Sequence, residues 1–105
     1  MLIVIVKLPF FIKHPDAVTV NISMNVTFKC IAKGFGLTNI TWRKVGSSRL
    51  PSTATVLTKQ SSSKMHSILT ITSTAGYYTG KYYCVATNTA GHASSNQADL
   101  LVQGY

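Results

Sequence analysis

The sequence predicts an all-β fold, in which two antiparallel sheets pack face to face as a sandwich. Short runs of β-branched and aromatic residues alternate with Gly, Pro and Ser breaks, and no long stretch repeats at the helical period. Cys30 precedes Trp42, the only tryptophan, by 12 residues, and Cys84 lies 54 residues beyond Cys30. Tyr82 stands two positions before Cys84, and these spacings together are typical of a two-sheet sandwich.

The strands of the first half follow from apolar residues alternating with polar ones. A first short strand lies between Pro9 and Pro15, where proline discourages pairing at a sheet edge. A second edge strand contains Val18 and Val20, and turns containing glycine follow at 33–36 and 46–48. The other side chains predicted to face the core in this half are Val26, Phe28, Cys30, Ile40 and Trp42.

The second half begins with a polar stretch from Leu50 to Ser63, which is predicted to cross between the sheets. The turn from Asn88 to Gly91 is predicted as a hairpin, because Asn and Gly tolerate positive φ. The inward side chains predicted here are Leu69, Ile71, Tyr82, Cys84, Ala86, Ala98, Leu100 and Val102.

The most specific motif of the chain has five residues at offsets 0, 2, 11, 13 and 15, namely Leu69, Ile71, Gly80, Tyr82 and Cys84. Cys84 also opens a C-x-A-x-N-x-x-G pattern that ends at Gly91. Over residues 9–103 the chain resembles the intermediate (I-set) immunoglobulin domains of cell-adhesion molecules, receptor ectodomains and giant muscle proteins.

The resemblance implies a disulfide between Cys30 and Cys84, with Trp42 packed against it. A bridge across this separation contributes about 4 kcal/mol in the chain-entropy model. The resemblance also implies that Tyr82 forms a tyrosine corner, in which its hydroxyl makes a hydrogen bond to nearby backbone. The implied core residues are Trp42, Leu69, Ile71 and Tyr82.

Two of the departures from the family pattern lie near the corner and the first turn. The family carries Asp two positions before the glycine of the corner, where this chain has Tyr78. Seven positions before the first cysteine the family carries Gly, and this chain has Ser23, which predicts a less strained turn.

Residues 1–8 have two open interpretations. Leu2, Val4 and Val6 alternate like a last strand, so this segment is either the trailing strand and linker of a preceding domain in a tandem array or an extension of the first strand. The apolar run from Met1 to Val6 is too short to span a membrane or to form a signal-peptide core. We therefore expect no direct membrane insertion in this segment and a longer parent protein.

The charge is strongly basic, with ten Lys or Arg residues against two Asp and a net charge of +8. This balance favours anionic partners. One alternative is a heparan-type glycan site formed by Lys29, Lys33, Arg43, Lys44, Arg49 and Lys81. Nucleic-acid binding is not expected, because aromatic and basic residues do not interleave on one element.

The chain carries no catalytic pattern. Asp16 and Asp99 are predicted on the first and last strands, and His14, His66 and His92 are widely spaced. No Gly-rich phosphate loop opens a helix. We expect no enzyme activity, no metal and no cofactor.

Three N-x-[ST] sequons begin at Asn21, Asn25 and Asn39, and each Asn is opposite in phase to an inward neighbour. This placement suits N-glycosylation and an extracellular glycoprotein. The alternative is that these residues simply populate exposed strand faces.

The predicted partner-binding residues point outward on one sheet: Arg43, Tyr83, Val85 and Leu101. A tyrosine and an arginine beside apolar residues are typical of protein interfaces, and no sequon is expected at the centre of this patch. The leading interpretation is a binding and spacer module of an extracellular adhesion molecule or receptor. Its partner is a cell-surface or matrix protein, with a second copy of the chain as one option. The alternative is an intracellular structural domain of a muscle-type filament.

Overall fold

The computed structural model describes residues 7–61 and 63–104, so the interpretation of the alternating segment at 1–6 lies outside the described residues. A single 3₁₀ turn, Gly76–Tyr78, precedes the seventh strand. The described strands are β1 (Phe10–Lys13), β2 (Val18–Asn21), β3 (Val26–Lys33), β4 (Asn39–Lys44), β5 (Ala54–Gln60), β6 (Lys64–Ile71), β7 (Gly80–Asn88), β8 (Gly91–Ser94) and β9 (Ala98–Gln103).

Two sheets form the sandwich, which confirms the predicted fold class. The four-stranded sheet has the order β1-β3-β6-β5. The five-stranded sheet has the order β2-β9-β7-β4, and β8 also pairs with β7. Every described pairing is antiparallel except β2 with β9, which is parallel. The chain therefore changes sheets between β1 and β2, around Pro15.

The core lies between the two sheets. The Cys30–Cys84 disulfide crosses it and links β3 of one sheet to β7 of the other. The Phe28 ring stacks on the Tyr82 ring at 5.5 Å between centroids and lies 6.4 Å from the Trp42 ring. Strand alternation explains this core, because every second residue of β3 and β7 is buried. The remaining core positions taken from the sequence are also buried, except Val18 and Val20, which are half-buried.

Residues 54–60 form a strand, β5, so the prediction of a polar crossing through this segment was wrong. β5 pairs with β6 from Ala54 opposite Ile71 to Gln60 opposite Met65. It is an edge strand, and six of its seven residues are exposed, so no inward alternation marks it in the sequence. Its β-branched residues were the available signal.

The turn between β2 and β3 keeps the strained backbone that a glycine would accept easily, so the expectation from Ser23 was wrong. Ser23 has φ +76°, in the left-handed region that disfavours residues with a Cβ. Its N–H donates to the Thr74 carbonyl at 2.8 Å, and the Thr74 hydroxyl donates to the Met24 carbonyl at 2.8 Å. These long-range bonds hold Ser23 in place.

Tyr78 takes over the position of the family's aspartate by packing rather than by charge. Its side chain is buried at the end of the 3₁₀ turn, edge-on to the Tyr77 ring at 4.7 Å between centroids. Its carbonyl accepts a 2.6 Å hydrogen bond from the Tyr82 hydroxyl. The tyrosine corner is thus present without an acidic residue.

Asn88 ties three loops together at the other end of the sandwich. Its side-chain oxygen accepts from the N–H groups of Ala90 and Gly91, which shapes the turn between β7 and β8. Its amide nitrogen donates to the carbonyls of Lys7 at 2.7 Å and Phe35 at 3.2 Å. One buried side chain therefore organises the ends of distant segments.

Candidate functional site

A shallow concavity of about 520 Å³ lies on the outer side of the five-stranded sheet. We call it the β4–β7–β8 face, and the residues that define it are Asn39, Thr41, Arg43, Tyr83, Val85 and His92. Three of the four predicted partner-binding residues therefore line one surface.

The register of the strands explains why these side chains meet. Arg43 on β4 lies directly opposite Tyr83 on β7, and Thr41 lies opposite Val85. Trp42 and Cys84, which lie opposite each other between these two pairs, are buried in the core. Because alternate side chains are fixed by core packing, the outward ones are held on a rigid surface.

The β4–β7–β8 face carries residue types that are common in protein contact surfaces. Arg43 is exposed, and Tyr83 and Val85 are half-buried beside it. A guanidinium, a phenol and an aliphatic side chain provide charge-assisted hydrogen bonds and apolar area in one place. No carboxylate lines this concavity, so the Arg43 guanidinium is available to an acidic group of a partner.

Leu101, the fourth predicted residue, does not line the concavity. It is 46% exposed on β9, beside Thr19 of β2. Lys81 on β7 lies opposite Asp99 on β9, and their exposed side chains form an ion pair at 2.8 Å. This ion pair lies between Leu101 and Tyr83 on the outer side of the sheet. The alternation of side chains along the strand predicted that Leu101 faces outward. Its distance from Tyr83, however, depends on where β9 pairs with β7.

The sequon at Asn39 lies in the β4–β7–β8 face, so the expectation of a patch with no central sequon was wrong. Asn39 and Thr41 both line the concavity, on the same strand as Arg43. The other two sequon residues lie elsewhere and are exposed: Asn21 ends β2, and the Asn25 side-chain oxygen accepts from the Ser73 N–H at 3.1 Å. A glycan on Asn39 would cover the candidate contact surface.

The six basic residues considered as a glycan site do not share one surface. Lys29 and Lys33 lie on β3 of the four-stranded sheet, whereas Arg43 lies on the other sheet. The Lys44 ammonium donates to the Tyr77 carbonyl at 2.9 Å. Arg49 lies in the loop after β4, and Lys81 forms an ion pair with Asp99. The predicted set is therefore corrected: it is divided between opposite sides of the sandwich.

The described residues contain no group of three or more His, Cys, Asp or Glu side chains placed to hold a metal ion. The two Asp side chains of the chain each pair with a lysine, Asp16 with Lys13 at 2.7 Å and Asp99 with Lys81. Within 7–61 and 63–104, no helix has the length and apolar character that crossing a membrane requires.

The two sheets, the bridge between them and the tyrosine corner define an immunoglobulin-like domain. The family model for the immunoglobulin I-set domain matches residues 9–102. The chain belongs to the I-set family, whose members are typically structural or binding modules rather than enzymes.

Two curated relatives are the netrin receptor DCC of rat and of mouse, each 31% identical over 94 residues, which is 90% of this chain. The chain spans only 6% of the length of these receptors. Among solved structures, a chimeric titin Z1Z2 protein carrying a decorin peptide has a TM-score of 0.78 at 26% identity, covering 97% of this chain and all of that one. The titin M3 domain has a TM-score of 0.76 at 27% identity, covering 90% of this chain and 96% of that one.

Proposed function

We propose that the chain is a protein-binding and spacer module in the extracellular part of a cell-surface receptor or adhesion molecule, as one unit of a tandem array. The observation that carries this proposal is the β4–β7–β8 face, where Arg43 stands beside Tyr83 and Val85 on a rigid sheet. The bridge and the core hold the face in shape, and its outward side chains select the partner.

The partner surface is proposed to be acidic. Interface energy concentrates in a few Arg and Tyr side chains that fill pockets or pair with charged groups. A homophilic contact through this face would bring two chains of charge +8 together, with only Asp16 and Asp99 to offset the repulsion. A different protein, on a cell surface or in the matrix, with carboxylates facing Arg43, fits better.

Three observations support the extracellular placement. The netrin receptor DCC, named as a receptor, is 31% identical over 90% of the chain. The Cys30–Cys84 bridge suits an oxidising compartment. The two sequon asparagines that lie off the β4–β7–β8 face, Asn21 and Asn25, are exposed, as glycan attachment requires.

The contact face is tested by binding of the soluble domain to cells of its own source, measured by flow cytometry. We expect Arg43→Ala and Tyr83→Ala each to weaken binding by about tenfold or more, the loss typical of interface hot spots. The matched controls are Arg49→Ala and Tyr77→Ala, which remove the same side chains from exposed positions off the face. Equal losses in variants and controls would eliminate the face.

A second candidate is an intracellular structural domain of a muscle-type filament. It is favoured by the likeness to titin domains, including the titin Z1Z2 pair solved in complex with telethonin, with a TM-score of 0.74 at 28% identity. Thiol titration of protein from its native source, unfolded without reductant, separates the two candidates. Two reactive thiols favour the filament, and none favours the receptor.

A further inference from the structure

Positive charge concentrates on the outer side of the four-stranded sheet, opposite the β4–β7–β8 face. Lys29 and Lys33 of β3, Lys59 of β5 and Lys64 of β6 are all exposed there. We call these four residues the lysine face. Lys29, Lys33 and Lys64 alternate with buried residues on β3 and β6, so core packing fixes their direction, and Lys59 faces the same side because it lies opposite His66.

The register brings like charges together at one end of β3 and β6, the two inner strands of this sheet. Lys33 lies directly opposite Lys64, and Lys59 lies opposite His66 in the next outward row. Directly opposed side chains stand about 5 Å apart at Cβ, and outward rows are about 7 Å apart along a strand. Like charges in this position destabilise a sheet, so the pair of Lys33 and Lys64 lowers the stability of the free domain.

Within the part of the chain that the structure describes, no acidic side chain forms an ion pair with Lys33 or Lys64. The only two carboxylate side chains of the chain, Asp16 and Asp99, pair with Lys13 and Lys81 at 2.7 and 2.8 Å. The ion pairs of the described residues include none of the four members of the lysine face. An anionic ligand lying across β3, β6 and β5 would supply the missing charge.

Exposed apolar side chains on this side of the domain lie at its two edges. Phe10, on β1, is 55% exposed, and Leu57, on β5, is 56% exposed, with β3 and β6 between them. Three strand spacings separate them by roughly 14 Å across the sheet, and four residues of register separate them by roughly 13 Å along the strands, so they lie roughly 20 Å apart. Between them, Ile31 and Ile68 also face outward but are half-buried, and Ile68 lies directly opposite both Leu57 and Lys29. Lysine side chains therefore border the apolar residues at the centre of this surface.

The shape of this surface suits an extended ligand. Two shallow concavities lie along it: one of about 310 Å³ lined by Lys13, Lys29 and Asp16, which pairs with Lys13, and one of about 320 Å³ lined by Lys59 and His66. Lysine ammonium groups bind anionic groups as mobile point charges, which suits negative groups repeated along a chain.

We propose that the lysine face binds a linear sulfated polysaccharide. Two of its members, Lys29 and Lys33, belong to the basic set considered from the sequence, whereas Lys59 and Lys64 were not in that set. This site lies on the sheet opposite the proposed protein contact, so the inference does not depend on that contact. A glycan and a protein partner can occupy the domain together.

The test compares two double variants that lose the same charge. Lys33→Gln/Lys64→Gln removes the opposed pair, and Lys7→Gln/Arg49→Gln removes two exposed charges from outside both faces. Binding to immobilised heparin is measured across a salt series. We expect the first variant to lose about tenfold or more in affinity and the second about twofold or less. Removing the opposed pair should leave the domain at least as stable, which thermal unfolding checks.

Four outcomes would overturn the proposal. Equal losses in the two variants would show that net charge alone attracts heparin. Elution of the wild type from heparin at no higher salt than from a sulfonate cation exchanger would show no glycan site. Tighter binding to phosphatidylserine vesicles than to heparin would indicate a lipid surface, and tighter binding to polyglutamate would indicate an acidic protein.

Discussion

The Tyr82 hydroxyl on β7 donates a 2.6 Å hydrogen bond to the backbone carbonyl of Tyr78, four residues earlier and at the end of the 3₁₀ turn. Both side chains are buried, so the bond closes the corner through which the chain enters β7. Gly80 lies inside this corner, and a Cβ there would stand 2.8 Å from the Lys44 side chain. The corner therefore combines one buried bond with one close approach.

Replacing Tyr82 with Phe is expected to destabilise the domain by about 1–3 kcal/mol, because the buried Tyr78 carbonyl loses its hydroxyl donor. Chemical denaturation with urea measures this difference. The control is Tyr83→Phe on the outer face of the same strand, which should change stability by about 0.5 kcal/mol or less. Equal effects in the two variants would show that the corner bond contributes nothing.

Stability should fall at alkaline pH through the same residue. Burial raises the pKa of Tyr82 from 10.0 to about 12, with a smaller effect from Tyr78. Below pH 10 the folded and unfolded chains both keep the proton, and the contribution is complete. As pH rises towards 12 the unfolded chain releases the proton first, so unfolding is favoured, by up to about 2 kcal/mol.

The measurement is the free energy of unfolding of wild type minus that of Tyr82→Phe, followed from pH 8 to pH 12 in steps of about one unit. The subtraction removes the titration of other tyrosines and lysines. The difference should shrink above pH 10, and a constant difference would contradict the raised pKa.

Ser67→Ala should destabilise the core by about 1–3 kcal/mol, because the Trp42 indole N–H donates to the Ser67 hydroxyl at 2.8 Å in a buried site. Thr58→Ala is the matched control. The Thr58 hydroxyl also contacts the Ser67 hydroxyl, at 3.0 Å in a part-buried site, but its removal leaves the indole bonded. Tryptophan fluorescence during unfolding reports both variants, and a loss no greater for Ser67→Ala than for Thr58→Ala would contradict this account.

The core could be predicted from the sequence, because buried and exposed residues alternate along the core strands. Phe28 and Cys30 on β3 and Tyr82 on β7 alternate with exposed residues, so parity alone gave their direction. β5 shows no such alternation in the sequence, because both of its faces are largely exposed at the sheet edge. The role of Asn88 also depended on backbone from distant segments, which no local pattern contains.

The candidate surfaces divide in the same way. Parity placed Arg43 and Tyr83 outward, but their contact requires the β4–β7 register. The opposition of Lys33 and Lys64 likewise exists only once β3 and β6 are paired, because these residues are 31 positions apart in the sequence. A basic residue's neighbours on a sheet are set by pairing, not by sequence distance.

Ser23→Gly should stabilise the domain by about 0.5–1 kcal/mol, because glycine accepts the left-handed backbone that Ser23 adopts at φ +76°. The gain is limited by the greater freedom of glycine in the unfolded chain. Ser94→Gly in β8 is the control and should destabilise, since Ser94 is not among the positive-φ residues. A destabilised Ser23→Gly variant, measured by thermal unfolding, would show that the serine side chain contributes more than the strain costs.

Glycosylation at Asn39 should block the proposed protein contact, because Asn39 and Thr41 line the same concavity as Arg43 and Tyr83. In protein from a glycosylating host, Asn39→Gln should bind source cells more tightly than wild type by about tenfold or more, the cost of covering a hot-spot surface. Asn21→Gln, at the end of β2, is the control and should not change binding. Mass spectrometry establishes whether Asn39 carries a glycan. If an occupied Asn39 and its Gln variant bind equally well, the partner must contact another part of the domain.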